Sequence, residues 1–491
     1  MLRLLILIFL FCYANAQQEV LSPLEKSGYQ KLTSYEELIE YVNFIVAQSK
    51  IVKAESIATT KEGSKVIALF FSKGNFGKEK DKLKILFFAQ QHGNEQSGKE
   101  GALLLVKKLI SEEYQYLFDR IDLALIPQMN PDGSERNQRR NSNDIDLNRN
   151  HLILTEPEVQ GLHRLFNKYY FEVTLDVHEY YPYSDSWKNF GFYKNADEQL
   201  GLVSNINISH LIRKFSKEKV LPFVQKWLNE KSYSFCEYVV GGPPDREFLR
   251  FSTTDINDGR QSFGILNTLS FILEGKNGRD MQIDNIKRRA EAQAETMLSL
   301  LNFAYQHAKE IKKLVREERK NLINSKDDVV IHSDHFKNGT KFLLPVWDVT
   351  NERDTIIEVE NFNPEVRQIL SIKRPKGYLV NVHDTLLINF IQNHQIKYSS
   401  KIPKRSKLIV YEILSIDSVK HEGEYVVRPI ISTKTIEHKD LDGKYIFIPI
   451  NQIYSNMIVQ AFEPESVSGL IQYKNYRYLI ENKFYPIIKV K

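Results

Sequence analysis

The sequence predicts an α/β protein with a largely buried sheet, followed by a smaller all-β domain. Two observations lead to this prediction. Up to about residue 322, short apolar runs flanked by polar turns alternate with segments of helical periodicity, which is the pattern of a sheet covered by helices. From about residue 329 onward, β-branched and aromatic runs are broken by Asn, Pro, Gly and Asp without a long helical period. The 491 residues have room for both parts.

Each element of the α/β part has its own signal. A helix over 33–48 begins with Ser34 and Glu37 at the spacing of a capping box. Bounded apolar runs predict buried strands, and longer periodic segments predict helices. The predicted strands are 84–89, 121–126, 173–177 and 269–273, and the further predicted helices are 97–110 and one long, increasingly charged helix over 285–322.

The first residues have the pattern of a secretory signal peptide. A positive start at 1–3 is followed by an apolar run to Tyr13 and by small residues at Ala14 and Ala16. The run is too short for a membrane span, which needs about 20 apolar residues. We therefore predict a signal peptide at 1–16 and a secreted or periplasmic protein without a membrane span. The predicted domains are a catalytic domain at 17–324 and an all-β domain of unknown role at 325–491.

The net charge and the cysteine count limit the functions that the chain can have. A formal net charge of +5, from 67 basic and 62 acidic side chains, is too small for a nucleic-acid-binding face, so no nucleic acid partner is predicted. With Cys12 inside the signal peptide, Cys236 is the single cysteine of the mature chain and leaves no intrachain disulfide. No paired base is evident beside Cys236, which favours a buried apolar role over that of a nucleophile.

Candidate ligands for a metal follow two of the predicted strands. His92 comes directly after the strand at 84–89, and the turn at Gly93 returns Glu95 to the same side. His178 closes the strand at 173–177. Sites form at the carboxyl ends of strands in open α/β sheets, and a catalytic zinc needs three protein ligands. Two other pairs have the same spacing as His92 and Glu95, and we interpret both as surface features: His307 with Glu310, and His421 with Glu424.

Between these ligands lies a turn signature at 130–133, followed by a basic loop. Glu274 ends the apolar run at 269–273, and burying such a carboxylate has a cost unless something uses it. In this order the motifs resemble the zinc carboxypeptidase family, over roughly residues 30–305. The matching pieces are HGNE at 92–95, NPDG at 130–133, DLNRN at 146–150, the His of LDVHE at 175–179 and the Glu of ILEG at 272–275.

The resemblance implies a mixed, mostly parallel sheet flanked by helices, a bound Zn²⁺ and hydrolysis of a peptide or amide substrate. Zinc lowers the pKa of a coordinated water to about 7, so that a nearby carboxylate can take its proton. The implied roles are His92, Glu95 and His178 as zinc ligands, Asp146 as the carboxylate that orients His92, Arg139 as the oxyanion-stabilising arginine with Arg140 as the fallback, Asn148 and Arg149 as the grip on the terminal carboxylate, and Glu274 as the general base.

The sequence also departs from the family pattern. Asn94 stands where many members carry arginine, and no tyrosine between Tyr238 and Glu274 matches the family's mobile tyrosine. The specificity pocket falls within 235–265 but is not assigned. Arg260 either contacts substrate or makes a structural ion pair. A preference for basic side chains stays open because of three acidic residues in this stretch, Asp245, Asp255 and Asp258.

The leading hypothesis is therefore a secreted zinc metallocarboxypeptidase. An amidase of cell-wall peptides or acylated amino acids could use the same zinc centre with a different pocket. A non-catalytic envelope binding protein is the third possibility, and retention of the three ligands and Glu274 speaks against it. The all-β domain is expected to fold against the catalytic domain without supplying catalytic groups. The oligomeric state is left open.

Overall fold

The computed structural model of the protein describes residues 20–438, 441 and 443–491. The predicted signal peptide and its cleavage site lie outside the described residues. No helix in these ranges is long and apolar enough to cross a membrane. The helices are α1 (Pro23–Lys26), α2 (Tyr35–Gln48), α3 (Gln96–Ile110), α4 (Pro131–Glu135), α5 (Pro157–Tyr169), α6 (Asp185–Asn189), α7 (His210–Phe215), α8 (Leu221–Glu230), α9 (Gly259–Gly264), α10 (Ile286–Gln306), α11 (Ala308–Asn324), α12 (Thr385–Asn393) and α13 (Ser455–Phe462).

The strands of the α/β part are β1 (Val52–Thr59), β2 (Lys65–Phe71), β3 (Leu83–Ala89), β4 (Ile121–Ile126), β5 (Val173–Tyr180), β6 (Phe192–Lys194), β7 (Glu198–Leu202), β8 (Phe235–Glu237), β9 (Val239–Val240), β10 (Leu249–Phe251) and β11 (Leu269–Lys276). Those that follow are β12 (Val329–Phe336), β13 (Phe342–Asp348), β14 (Arg353–Val359), β15 (Phe362–Asn363), β16 (Glu365–Ile372), β17 (Gly377–Asn381), β18 (Leu408–His421), β19 (Glu424–Ile436), β20 (Tyr445–Pro449) and β21 (Ile488–Val490).

A mixed sheet of eight strands forms the centre of the molecule, in the order β1-β2-β4-β3-β5-β11-β7-β8. The neighbours β4/β3, β3/β5, β5/β11 and β7/β8 are parallel, whereas β1/β2, β2/β4 and β11/β7 are antiparallel. Helices flank this sheet, with α3 and α10 packed against each other. The predicted mixed, mostly parallel sheet flanked by helices is confirmed. The carboxyl ends of β3, β5 and β11 lie side by side.

Most of the predicted elements are present. The capping box of Ser34 and Glu37 opens α2, and the four predicted strands are β3, β4, β5 and β11. The single long helix predicted over 285–322 is wrong, because the chain breaks at His307 into α10 and α11. His307 has a non-helical backbone (φ −107°, ψ 16°), and its ring stacks on Phe303 and bonds Glu310. The hydrophobic period continues across this break, which is why periodicity alone did not reveal it.

An antiparallel sheet forms the C-terminal part, in the order β19-β18-β21-β17-β20. The last strand of the chain, β21, pairs with both β17 and β18. Two helices, α12 and α13, accompany this sheet and were not predicted. All eight residues of α13 are buried. At eight residues, this mostly apolar segment is too short for its length to distinguish a helix from a buried strand.

The two parts of the chain are joined by strand pairing as well as by packing. Strand β13 pairs with β6, and β15 pairs with β10. These pairings enclose a small apolar cluster to which both parts contribute, made of Trp187, Val239, Leu249, Leu344, Val346, Val359 and Phe362. The C-terminal part therefore docks on the α/β part along the edge that carries β6 to β10.

Cys236 lies buried on β8. Burial raises the pKa of its thiol to about 12. A thiol held protonated at neutral pH is a poor nucleophile, in agreement with its interpretation as an apolar core residue.

Candidate active site

Three buried side chains converge at the carboxyl ends of β3 and β5. His92 Nδ1 lies 2.7 Å from Glu95 Oε1, and His178 Nδ1 lies 2.8 Å from Glu95 Oε2. The two Nδ1 atoms are 3.1 Å apart. The ligand atoms of these three side chains lie within 4.8 Å of one another. Among the described residues, no other group of three or more His, Cys, Asp or Glu side chains lies close enough together to hold a metal ion. The structure thus brings together the three predicted ligands.

The turn that carries His92 and Glu95 requires glycine between them. A Cβ on Gly93 would collide with the backbone of Gly133 and Ser134. This backbone belongs to the NPDG turn, whose Asn130 caps α4 and donates from Nδ2 to the backbone carbonyl of Gln91. The two motifs are therefore packed against each other, and the second one fixes the position of the first.

Each histidine is oriented by a carboxylate on its far side. His92 Nε2 lies 3.0 Å from Oδ1 of Asp146, the carboxylate for which the sequence predicts this orienting role. His178 Nε2 lies 2.8 Å from Asp176 Oδ1, a partner that was not predicted. Hydrogen bonding at Nε2 leaves the lone pair of each Nδ1 free to face the centre. Asp176 precedes His178 by two residues, so both project from the same face of β5, and this spacing was the available signal.

The electrostatics of the triad favour a bound cation. Burial alone would raise the pKa of Glu95, but the imidazoles of His92 and His178 outweigh it and hold that pKa well below its usual range. Burial would lower the pKa of His178, but Asp176 and Glu95 outweigh it and raise that pKa. A site that prefers positive charge and offers two imidazole nitrogens and a carboxylate has the donor set of catalytic zinc sites. The residues present therefore fit zinc.

Of the two candidate arginines, Arg139 lies at the triad. Its Nε and Nη2 donate to Asp146 Oδ2 at 3.0 and 2.9 Å, and its Nη1 is 3.7 Å from Glu95 Oε1. The fallback Arg140 is exposed and donates to the backbone carbonyl of Asp144. Arg139 thus keeps a cation within reach of a group bound at the triad, whereas Arg140 faces solvent.

Glu274 stands beside the triad on the neighbouring strand. It is paired in register with His178 across β11 and β5, and its side chain is buried. Burial raises the pKa of Glu274 to about 7, with a contribution from Glu95 and against the effect of His178. The hydroxyl of Tyr238 interacts with this carboxylate by a hydrogen bond. Tyr238 is not among the predicted site residues, because it lies 36 positions before Glu274 and no local pattern links the two.

The predicted pair Asn148 and Arg149 has two different environments. Asn148 is buried; its Oδ1 accepts from the backbone of Gly259 at 2.7 Å, and its Nδ2 is 3.2 Å from His178 Nε2. Arg149 is exposed in a cavity of about 340 Å³. One wall of this cavity is the loop at 253–258, and the other comes from the C-terminal part of the chain.

The C-terminal wall includes the turn of the β18–β19 hairpin. The interpretation of His421 as a surface residue is wrong, because its side chain is buried. Beside it, Glu422 Oε1 accepts from the backbone N–H and the hydroxyl of Thr254 at 2.7 and 3.0 Å. Arg250 Nη2 lies 3.4 Å from Glu422 Oε2. The sequence marked a polar turn here but gave no indication of the surface on which it docks.

Replacing Asp176 by Asn is expected to weaken metal binding about 10- to 100-fold, because an amide holds the His178 tautomer less firmly than a carboxylate. Zinc retention during titration with a competing chelator measures this effect. Asp122→Asn is the matched control, since Asp122 is equally buried on β4 and bonds Ser72 and Gly77 away from the triad. Equal zinc affinity in both variants would remove Asp176 from the site.

A family model described as zinc carboxypeptidase matches residues 38–191, a range that includes His92, Glu95 and His178. This part of the chain is thus a zinc carboxypeptidase domain. It is a metallocarboxypeptidase-like hydrolase of mixed α/β fold. Carboxypeptidase 2 of Trichophyton tonsurans is 24% identical over 430 residues, which cover 84% of this chain and 78% of that protein. Carboxypeptidase Z of Mus musculus is 29% identical over 141 residues, covering 25% of this chain and 22% of that protein.

Among solved structures, a metallo-carboxypeptidase from Burkholderia cenocepacia is similar, with a TM-score of 0.45, 18% identity, and coverage of 57% of this chain and 71% of that one. The similarity to the fungal carboxypeptidase 2 covers more of the chain than residues 17–324 contain. It therefore extends beyond the part that carries the metal ligands, into the C-terminal residues.

Proposed function

We propose that this protein is a secreted metallocarboxypeptidase that hydrolyses C-terminal peptide bonds. One arrangement supports this proposal above all. A buried triad that prefers a cation has a carboxylate of raised pKa, Glu274, on one side, and Arg149 lies exposed in a neighbouring cavity. Export is proposed from the signal-peptide pattern at 1–16.

His92, Glu95 and His178 would hold the zinc. When bound, it supplies a Lewis acid that acidifies a water molecule and polarises the carbonyl of the substrate. Glu274 accepts the proton of the attacking water and then delivers it to the leaving amine. Arg139, beside the triad, stabilises the negative charge that develops on the carbonyl oxygen.

Restriction to the chain end follows from Arg149. A guanidinium fork can bond both oxygens of a carboxylate, and a free peptide ends in such a group. The internal bonds of a peptide offer no carboxylate at this place. Arg149 therefore favours release of single C-terminal residues over internal cleavage.

The test combines a zinc determination with a product screen on free peptides and cell-wall peptide fragments. We expect about one zinc per chain and release of single C-terminal residues, detected by mass spectrometry. Cleavage of amide bonds in cell-wall fragments without release of C-terminal residues would select the amidase hypothesis instead. Zinc binding without turnover of any substrate would support a binding protein.

A further inference from the structure

A second arginine near Glu274 has donors that the protein does not use. Arg260 lies at the start of α9 and its side chain is fully buried. Its Nη2 donates to Ser252 Oγ, to the Thr253 carbonyl and to Asp258 Oδ2 at 3.0–3.2 Å. Its Nε and Nη1 are buried and have no hydrogen-bond partner in the described part of the chain. Such donors cost free energy unless an acceptor reaches them, which indicates that a ligand supplies one.

Arg260 lines a cavity of about 310 Å³. Tyr238 lines the same cavity, and its hydroxyl interacts with Glu274. Gly201 forms part of the wall, and a Cβ there would come within about 3.0 Å of both Arg260 Nη1 and the Tyr238 ring. The absence of a side chain at Gly201 leaves space in front of the free donors. Tyr238 therefore links this cavity to the proposed general base.

Two of the described arginines line this cavity: Arg213 donates from Nε to the Ile208 carbonyl, and Arg260 keeps two donors free. Glu237 pairs with Lys217, and Glu365 pairs with Arg367. Asp258 pairs with Arg260 only through Nη2 and also caps α9. No acidic group among the described residues hydrogen-bonds Nε or Nη1. Arg260 is fixed by the hydrogen bonds of Nη2, and its Nε and Nη1 are free to bond an acidic side chain that enters the cavity.

We propose that Arg260 makes the enzyme selective for substrates whose C-terminal residue is acidic, glutamate or aspartate. This inference rests on the proposed function, since it names the side chain that follows the scissile bond. The terminal carboxylate pairs with Arg149, and the side-chain carboxylate accepts from Arg260. A carboxylate satisfies both the charge and the free donors of Arg260, whereas a basic side chain would add a second buried cation.

The cavity around Arg149 offers the competing arrangement. Asp255 lines it, its Oδ1 is buried without a partner, and burial raises the pKa of Asp255 to about 6. A basic side chain could pair there. Of the other carboxylates that line this cavity, Glu422 pairs with Arg250 and Asp258 with Arg260, whereas Glu424 is exposed. Asp255 itself lies beside Arg149, whose positive charge lowers its pKa against the effect of burial.

The test compares acylated dipeptides that end in Glu, Gln or Lys and are otherwise identical. For the wild type we expect kcat/KM for Glu to exceed that for Gln about 100-fold, because the two side chains match in size and only one is charged. Arg260→Met should bring this ratio below about threefold, and Arg260→Lys should keep part of it. Arg246→Met, which removes an exposed arginine outside both cavities, should leave the ratio unchanged. A Lys preference or equal rates for Glu and Gln in the wild type would overturn the proposal.

Measurements of peptide binding test the acidic preference independently of the proposed carboxypeptidase activity. Calorimetric titration of Glu274→Gln with the same peptides measures selectivity without turnover. Tighter binding of the Glu peptide together with no hydrolysis by the wild type would uphold the pocket and reject the carboxypeptidase. Hydrolysis without an acidic preference would reject the pocket alone. If Arg260→Met does not fold, the ratios of the wild type and of Arg260→Lys decide the question.

Discussion

Glu274→Gln is expected to retain its zinc and to lose at least about 10⁴-fold in kcat. Glutamine matches glutamate in size, but it cannot accept a proton from water. General acid–base groups contribute about 10²- to 10⁴-fold, and Glu274 serves in both proton transfers, so the loss should lie at or above the upper limit. Metal content and kcat at saturating substrate are the measurements. Turnover within about tenfold of the wild type would reject Glu274 as the base.

Glu274→Gln should also change the pH dependence of kcat/KM. Burial raises the pKa of Glu274 to about 7 before a metal binds, and a cation at the triad lowers it again. The base works only when deprotonated, so kcat/KM of the wild type should fall as the pH drops below the lowered pKa that Glu274 has in the zinc-loaded enzyme. The acidic limb should disappear in Glu274→Gln. Glu95→Gln serves as the contrast, because it removes a ligand charge and should lower zinc affinity first.

His178→Ala is expected to abolish zinc binding and activity together, and His92→Ala should do the same. Either change leaves two protein ligands where a catalytic zinc needs three. Zinc stoichiometry after dialysis is the measurement, with the melting temperature as a check on folding. His163→Ala is the matched control, because His163 is also buried but bonds His151 rather than the triad. Full zinc occupancy in His178→Ala would show that the metal lies elsewhere.

The sequence predicted the central sheet well because each buried strand is a bounded apolar run. It failed where a signal was missing or ambiguous. The break at His307 does not interrupt the hydrophobic period, and α13 is a mostly apolar run of eight residues, too short to be told from a strand by its length. The pairing of β13 with β6 joins residues that are about 150 positions apart. No local pattern specifies such a contact, so the docking of the C-terminal part could not be derived.

The predicted metal ligands come together because they lie at strand ends, where topology places them side by side. Asp176 was missed although its spacing from His178 on β5 was visible. Tyr238 was missed because its contact with Glu274 crosses between strands and has no fixed distance along the chain. Glu422 could not have been found, since a hairpin turn shows nothing of the loop it binds.

The residues that form the walls of the Arg149 cavity are far apart in the sequence, so they are translated at different times. The ligands and Glu274 are translated first, but the cavity also includes the turn at 421–424 and Tyr473. The sheet that carries this turn is completed only by β21, which pairs with β18 close to the end of the chain. A nascent chain therefore lacks a finished cavity around Arg149 until β21 has been translated, about 200 residues after Glu274.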